Sequence, residues 1–106
     1  LQREAAAGDA FAATTLRVLA TKSPTSLNVA FRQIREGAGL SMDECMRMEY
    51  RILSRMLVGP DFYEGIRAAV IDKDNAPRWR PATLDAVEMA DVVAHFAPLG
   101  EKELRL

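Results

Sequence analysis

The sequence has few of the residues that form cross-links, metal sites and catalytic pairs. It contains one cysteine, Cys45, and one histidine, His95, among 106 residues. A single cysteine cannot form an internal disulfide, which indicates a reducing compartment. A zinc site needs three or four Cys, His or carboxylate ligands, and these two residues lie far apart in the chain. We therefore predict no metal site, a structural role for the Cys45 thiol and a solvated His95 near a helix end.

Long apolar runs and an excess of one charge are also missing. Uninterrupted hydrophobic runs end after four residues, at 10–13 and 68–71, whereas a membrane-spanning helix needs about 20. The 14 basic and 15 acidic side chains give a net charge of -1. This balance gives no electrostatic reason to expect a nucleic acid or a membrane surface as partner. No signal-peptide pattern opens the chain, and positions 1–7 favour a helix without a cap, as if a longer helix had been truncated.

Helix start signals, in contrast, recur along the chain. Ser23 precedes Pro24, a residue whose missing N–H costs nothing in a first helical turn. Ser41 with Glu44 has the spacing of a capping box. Other predicted starts are Asp9, Asp61 with Glu64, and Thr83, and the predicted stops are Gly37, Gly59 with Pro60, and Pro98. No strand alternation appears, so we predict an all-α fold of about five helices.

The helices and prolines also predict how the chain is divided. We expect one helical module over 1–106, with helical hairpins at 1–72, a Pro/Trp linker at 73–82, and a terminal helix and tail at 83–106. Gly65 inside a helix costs about 1 kcal/mol against alanine, which favours a close helix–helix approach there. The predicted inward apolar positions are Phe11, Leu16, Leu19; Leu27, Phe31, Ile34, Ala38; Phe62, Ile66, Ala69, Val70; and Leu84, Val87, Val92, Val93, Phe96.

The helix that follows Ser41 is apolar on more than one face. One stripe is formed by Cys45, Met48, Ile52 and Met56. A second set widens the apolar belt, namely Met42, Met46, Leu53 and Leu57. Such breadth indicates contact with more than one neighbour.

A search for catalytic groups finds none. A nucleophile needs an adjacent base, and no serine lies in a Gly-x-Ser-x-Gly elbow. The acidic pairs are explained by helix caps, helix ends and solvent. Arg47, Arg51 and Arg55 make a basic ridge that suits either phosphate binding or a solvated face, and we favour the solvated face. Trp79, between Arg78 and Arg80, is more typical of a packing anchor than of a base-stacking site.

Several segments together carry a family resemblance. They are SPTSL at 23–27, RQIREG at 32–37, LSMDECMRMEYR at 40–51, DFYEGIRA at 61–68, IDKD at 71–74, PRWRPATL at 77–84 and FAPL at 96–99. In this order and spacing they resemble the 3-hydroxyisobutyryl-CoA hydrolase family of the crotonase superfamily. The resemblance implies a C-terminal helical part whose α/β core, with the catalytic acids and the oxyanion hole, is absent from this chain.

The same resemblance implies a function and partners. The parent would hydrolyse the thioester of 3-hydroxyisobutyryl-CoA in valine catabolism, with coenzyme A as part of the substrate and no separate cofactor. This chain would hold no catalytic residue, would cover the N-terminal core, would self-associate and would be inactive alone. Its interface candidates are Met48, Ile52, Met56, Phe62 and Trp79. The location would be the cytoplasm of a bacterium, which we favour, or the mitochondrial matrix of a eukaryote.

One residue is a candidate for binding coenzyme A. Many crotonase relatives carry a Phe and a Lys near bound coenzyme A in the segment that follows Glu64 and Gly65. Here Ala69 replaces the Phe and Asp72 the Lys, and Lys73 comes one position later, an offset that turns a side chain by about 100° around a helix. Lys73 is therefore a candidate for the coenzyme A phosphates by position only.

Three other interpretations stay open at this point. The same helical part could belong to an enoyl-CoA hydratase or isomerase. The chain could instead be an autonomous helical protein-interaction domain. A helix-turn-helix nucleic-acid binder is the weakest alternative because of the net charge of -1.

Overall fold

The computed structural model describes residues 2–106, and this part of the chain contains helices and turns but no strand. The helices are α1 (Gln2–Ala6), α2 (Ala10–Leu19), α3 (Pro24–Gly37), α4 (Met42–Met56), α5 (Pro60–Ile66) and α6 (Met89–Ala94). A π-helical turn, Arg67–Ile71, continues α5, and two 3-10 turns occupy Leu84–Ala86 and Gly100–Lys102. The all-α prediction is confirmed. Leu1, part of the predicted truncated helix, lies outside the described residues.

Three of the predicted helix starts form as expected. Asp9 accepts a hydrogen bond from the Ala12 N–H at 3.0 Å, and Ser41 accepts one from the Glu44 N–H at 3.2 Å. Ser23 caps α3 through the Ser26 N–H at 3.2 Å. These side chains satisfy amide groups that have no partner within the helix.

The predicted capping box at Asp61 is wrong. Gly59 is the cap of α5, and it has no side chain to donate or accept a hydrogen bond. Pro60 starts the helix because its ring already holds the required φ angle. Asp61 therefore lies inside the first turn, where its side chain is buried.

The long terminal helix predicted from Thr83 is also wrong. The chain makes one 3-10 turn, passes through an extended Val87 (φ -73°, ψ 125°), and begins α6 only at Met89. Val87 and Phe96 both pack against the core that contains Val92. The break follows from tertiary packing, which overrides the weak local preference for one helix.

The core is small and joins α3, α4 and α6. Val29, Met48, Ile52 and Val92 form it, with Met56, Val87 and Phe96 packed around them. The predicted inward stripe of α4 is therefore confirmed. The N-terminal helices α1 and α2 pack against each other.

Several apolar side chains that were predicted to face inward are exposed instead. Phe11, Phe31 and Ile34 are 76%, 63% and 75% exposed. The buried residues of α3 are Pro24 and Val29, and on the segment after α5 the buried residue is Ala68. Five other residues predicted to face inward are exposed, namely Phe62, Ile66, Val70, Leu84 and Val93. An apolar stripe predicts burial against some partner, but it does not say that the partner lies in the same chain.

The overall dimensions agree with this exposure. The radius of gyration is 15.9 Å, whereas a compact domain of this length has about 13 Å. Only six apolar side chains are buried among residues 2–106, and twenty large hydrophobic ones are exposed. The helices are thus arranged around a thin core with much apolar surface facing outward.

The segment 73–82 contains no helix, as its prolines predict. Its tryptophan, Trp79, packs over Gly65, where an added Cβ would lie 3.4 Å from the indole ring. The indole N–H donates to the Thr21 carbonyl at 3.0 Å. The absence of a side chain at Gly65 therefore makes room for the indole ring of Trp79 and not, as predicted, for a neighbouring helix.

This contact gives a first prediction. Gly65→Leu should displace the indole of Trp79, because the leucine side chain needs the space that the ring occupies. Trp79 is the chain's single tryptophan, so its emission should shift to longer wavelength as the ring meets water. The matched control is Gly39→Leu, since nothing lies within 4 Å of a Cβ at Gly39. Equal emission maxima in the two variants would contradict the packing described.

Candidate functional site

One surface available for binding is an exposed apolar row along α4 and its C-cap residue. We call it the outer stripe of α4; its members are Met42, Met46, Tyr50, Leu53 and Leu57. Their exposed fractions are 75%, 40%, 40%, 49% and 41%. At about 100° per residue these five side chains lie within an arc of roughly 80°, and no charged residue of α4 falls inside that arc. The helix thus has an apolar surface distinct from its core-facing stripe.

The predicted interface candidates occupy different environments. Met48 and Ile52 are only 6% and 8% exposed and fill the chain's own core. Met56 and Trp79 are half-buried, and Phe62 is 41% exposed beside Tyr63, with which it makes an edge-to-face contact. Their role in an interface stays a prediction. On α4, the surface open to a partner is the outer stripe and not Met48 or Ile52.

A buried carboxylate connects segments that are distant in sequence. Asp61 is 7% exposed and accepts hydrogen bonds from the Ser23 hydroxyl at 2.5 Å and from the Arg80 N–H at 2.8 Å. Ser23 also caps α3. The start of α3, the start of α5 and the segment 73–82 are therefore joined at one point. This residue could not be found from local patterns, since its partners are set by the tertiary fold.

A cluster around Arg67 fixes the next part of the chain. Its guanidinium contacts Glu64 at 2.6 Å and Asp72 and Asp74 at 2.8 Å each. The Arg67 guanidinium, followed by the Arg78 N–H, lowers the pKa of Glu64 to about 2. Glu64, with the two aspartates, raises the pKa of Arg67 above its usual range. These carboxylates are thus ion-pair partners and not, as predicted, cap or solvent residues.

The basic ridge of α4 holds the C-terminal tail. Arg51 pairs with Glu103, and this contact, with the Leu99 N–H, lowers the pKa of the Glu103 carboxyl. Arg55 donates to the Ala97 carbonyl at 3.3 Å. The prediction of a solvated face is therefore wrong for these two arginines. The Arg51 guanidinium is engaged in its ion pair, whereas the Nη1 atom of Arg55 is buried without a hydrogen-bond partner among the described residues.

Lys73 lies at the end of the π-helical turn. The turn is closed by the Asp72 N–H donating to the Arg67 carbonyl, five residues earlier, at 2.8 Å. Lys73 is exposed and has a φ of 55°, in the left-handed region. The helix has therefore ended at Lys73, and its side chain extends from a turn.

The single histidine and the single cysteine each lie against a main-chain carbonyl oxygen. No group of three His, Cys, Asp or Glu side chains that could hold a metal ion occurs among the described residues. Within residues 2–106, no helix is long and apolar enough to cross a membrane. His95 ends α6 with its Nδ1 atom 2.7 Å from the Asp91 carbonyl oxygen. The half-buried Cys45 thiol lies 3.7 Å from the Gly37 carbonyl oxygen.

Comparison with known proteins identifies the class of protein. The model of the enoyl-CoA hydratase/isomerase family matches residues 1–96. The chain therefore belongs to this family, whose structures have the crotonase fold. An enoyl-CoA hydratase from Rhodobacter sphaeroides superposes with a TM-score of 0.85 at 38% identity, over 92% of this chain and 29% of its own. A carnitinyl-CoA dehydratase from Mycobacterium thermoresistibile gives 0.83 at 44% identity, over 93% and 28%.

The sequence relatives are more specific. A mitochondrial 3-hydroxyisobutyryl-CoA hydrolase from Danio rerio is 48% identical over 99 residues, which are 93% of this chain and 26% of that protein. The human mitochondrial 3-hydroxyisobutyryl-CoA hydrolase is 43% identical over 98 residues, 92% of this chain and 25% of its own length. The resemblance predicted from the sequence is confirmed. The chain spans about a quarter of the length of these relatives.

The buried carboxylate gives a second prediction. Asp61→Ala should lower the free energy of unfolding by about 2 kcal/mol, because the Ser23 hydroxyl and the Arg80 N–H lose their shared acceptor inside the protein. Urea denaturation followed by Trp79 fluorescence measures the change. Asp85→Ala, at an exposed aspartate, is the control and should stay within about 0.5 kcal/mol of the unmodified chain. Equal midpoints for both variants would show that the buried contacts do not stabilise the fold.

Proposed function

We propose that this chain is the C-terminal helical part of a CoA-thioester hydrolase that acts on 3-hydroxyisobutyryl-CoA or a close analogue. The observation that carries the proposal is the 48% identity, over 93% of the chain, to a relative named for that activity. The reaction adds water across the thioester. The water oxygen bonds to the acyl carbon, the C–S bond breaks, and the coenzyme A thiolate takes up a proton.

The chemistry would belong to the part of the protein outside this chain. An oxyanion hole works only when its donors are preorganised around the developing charge. Among the described residues, the carboxylates of Asp61, Glu64 and Glu103 are engaged in hydrogen bonds or ion pairs within the chain. We therefore expect this chain to be inactive alone and to contribute binding surface.

We assign two roles to the exposed apolar surface of this chain, namely covering the core of the longer protein and self-association. The thin core and the twenty exposed large hydrophobic side chains support both. Contiguous exposed apolar surface of this kind marks an interaction site. The low compactness of the isolated chain also argues against an autonomous interaction domain, which would bury its own apolar stripes.

The π-helical turn strengthens the case for Lys73 at the coenzyme A phosphates. A π turn closes its hydrogen bond over one residue more than an α turn, so it acts as a one-residue insertion. Lys73 follows the family position of the lysine by one residue. Lys73 has left the helix with a φ of 55°, so the offset of about 100° around a helix does not fix the direction of its side chain, and π turns such as Arg67–Ile71 often occur at functional sites.

A second candidate is the corresponding part of an enoyl-CoA hydratase or related lyase. The names of the two solved structures favour it, since one is an enoyl-CoA hydratase and the other a carnitinyl-CoA dehydratase. The relatives named as hydrolases reach slightly higher identity, which puts the hydrolase first. The location that we propose is the mitochondrial matrix in a eukaryote and the cytoplasm in a bacterium; the eukaryotic relatives are named as mitochondrial.

An assay of the protein from the complete reading frame tests the proposal. Incubation with 3-hydroxyisobutyryl-CoA should release free coenzyme A, measured with a thiol reagent, and the 106-residue chain under the same conditions should release none. A 2-enoyl-CoA as the parallel substrate distinguishes the alternative, since hydration removes the enoyl absorbance without releasing a thiol. Hydration without thiol release would establish the hydratase, and thiol release by the 106-residue chain would contradict its assignment as a non-catalytic part.

A separate variant tests Lys73 in the complete protein. Lys73→Ala should raise the KM for the acyl-CoA substrate several-fold while kcat changes little, because a phosphate contact remote from the thioester affects ground state and transition state alike. Lys22→Ala and Lys102→Ala, at exposed lysines elsewhere, are the controls. A substrate analogue without the 3′-phosphate tests whether that group is the partner. An unchanged KM in Lys73→Ala would refute the role.

A further inference from the structure

The guanidinium of Arg67 has an acceptor for every one of its donors. A guanidinium carries five N–H groups. The Nε and Nη2 atoms form a fork with the two carboxylate oxygens of Glu64, at 2.9 and 2.6 Å. Nη1 donates to Asp72 and Asp74 at 2.8 Å each, and Nη2 also donates to the Ala76 carbonyl at 3.3 Å. One side chain thus joins the end of α5 to the turn that follows it.

The turn 72–76 has a backbone that needs such support. Lys73 and Asn75 have φ angles of 55° and 50°, in the left-handed region that residues other than glycine rarely adopt. Conformations of this kind persist only where surrounding contacts hold them, and they are concentrated at functional sites. The contacts here are the bond from the Asn75 N–H to the Ala68 carbonyl, at 3.0 Å, and the side chains held by Arg67.

The aspartates on both sides of Lys73 are also occupied by Arg67. Asp72 and Asp74 are the sequence neighbours of the lysine and carry the opposite charge. Both pair with Arg67 instead, and the Arg67 guanidinium, followed by the Ala76 N–H, lowers the pKa of Asp74. Within residues 2–106 Lys73 forms no ion pair. Its ammonium is therefore left for a partner outside these residues.

We infer that Arg67 is a positioning residue for Lys73, an assignment that rests on the coenzyme A role proposed for that lysine. Arg67 holds the turn 72–76 in the conformation from which the lysine extends. It also occupies the two carboxylates that compete with the coenzyme A phosphates for the ammonium. Because all five of its donors are engaged, Arg67 acts through Lys73 and not by a phosphate contact of its own.

The geometry of the guanidinium, and not its charge alone, gives this arrangement. Arg67→Lys keeps the positive charge but places three donors on one nitrogen, too few for the bonds that Arg67 makes. The three carboxylates keep a cationic partner in this variant, which favours a folded protein. Arg67→Lys therefore separates the hydrogen-bond geometry from the charge.

Steady-state kinetics of the complete protein test the assignment. Arg67→Lys should raise the KM for the acyl-CoA substrate several-fold, like Lys73→Ala, while kcat stays within about twofold, because a lost phosphate contact affects ground state and transition state alike. The matched control is Arg17→Lys, at an exposed arginine of α2 that makes one side-chain hydrogen bond, and its KM should not change. An unchanged KM in Arg67→Lys would overturn the inference.

A double variant shows whether Arg67 acts through Lys73. When one residue acts through another, the effects of the two substitutions do not add in free energy. Arg67→Lys combined with Lys73→Ala should therefore have the KM of Lys73→Ala alone. KM factors that multiply in the double variant would show an independent role for Arg67 and would refute the assignment.

Cleavage by a lysine-specific protease measures the turn directly. Proteolysis of a folded protein follows the fraction of molecules in which the segment is open. In the complete protein the peptide bond after Lys73 should be cut at least about tenfold faster in Arg67→Lys than in the unmodified protein. The bond after Lys102, read in the same peptide mass spectra, is the internal reference and should be cut at an unchanged rate. A raised KM without faster cleavage after Lys73 would contradict the proposal that Arg67 holds the turn.

The product of the reaction keeps this inference separate from the identity of the enzyme. If the complete protein hydrates an enoyl-CoA and releases no thiol, the hydrolase is refuted, and the same KM comparison with the enoyl-CoA decides the role of Arg67. If thiol is released and Lys73→Ala raises the KM while Arg67→Lys does not, the proposed function stands and only the positioning role fails. An unchanged KM in Lys73→Ala refutes the roles of both residues.

Discussion

The arrangement of the helices depends on the buried Asp61 carboxylate. It accepts from the Ser23 hydroxyl, which caps α3, and from the backbone N–H of Arg80. A buried carboxylate is tolerated only when donors surround it, so three distant parts of the chain must meet for any of them to be stable there. A second hydrogen bond, from the indole N–H of Trp79 to the Thr21 carbonyl, also holds the segment 73–82 in place.

These polar contacts matter because the apolar core is thin. Its buried cluster consists of Val29, Met48, Ile52 and Val92. Among the described residues, more large hydrophobic side chains are exposed than buried. Ion pairs then fix the remaining segments, with Arg67 holding the turn after α5 and Arg51 holding Glu103 in the tail. The apolar surface left outside this framework is what a larger crotonase-fold enzyme would use to place its helical part against its core.

The candidate site was only partly predictable. The breadth of apolar residues on α4 indicated a second apolar face, which is exposed in the structure, because helical periodicity assigns each residue a direction; its contact with a partner stays a prediction. The sequence assigned Met48 and Ile52 to that interface, but helical periodicity fits both apolar stripes of α4 equally well. Only the packed structure shows that α3 and α6 cover the stripe that contains Met48 and Ile52. For Lys73, the one-residue offset was visible in the sequence, whereas the π-helical turn that precedes it depends on hydrogen bonds between residues five apart.

The sequence by itself determined that the chain is helical and where most helices begin. Asp9, Ser23 and Ser41 act on amides within a single turn, so their effect needs no other part of the protein. Only the tertiary structure decided that Asp61 turns inward, that Phe31 and Ile34 face outward, and that the segment after Thr83 is broken at Val87. Burial depends on which surfaces are present to pack against, and in this chain much of the apolar surface finds no partner among its own helices.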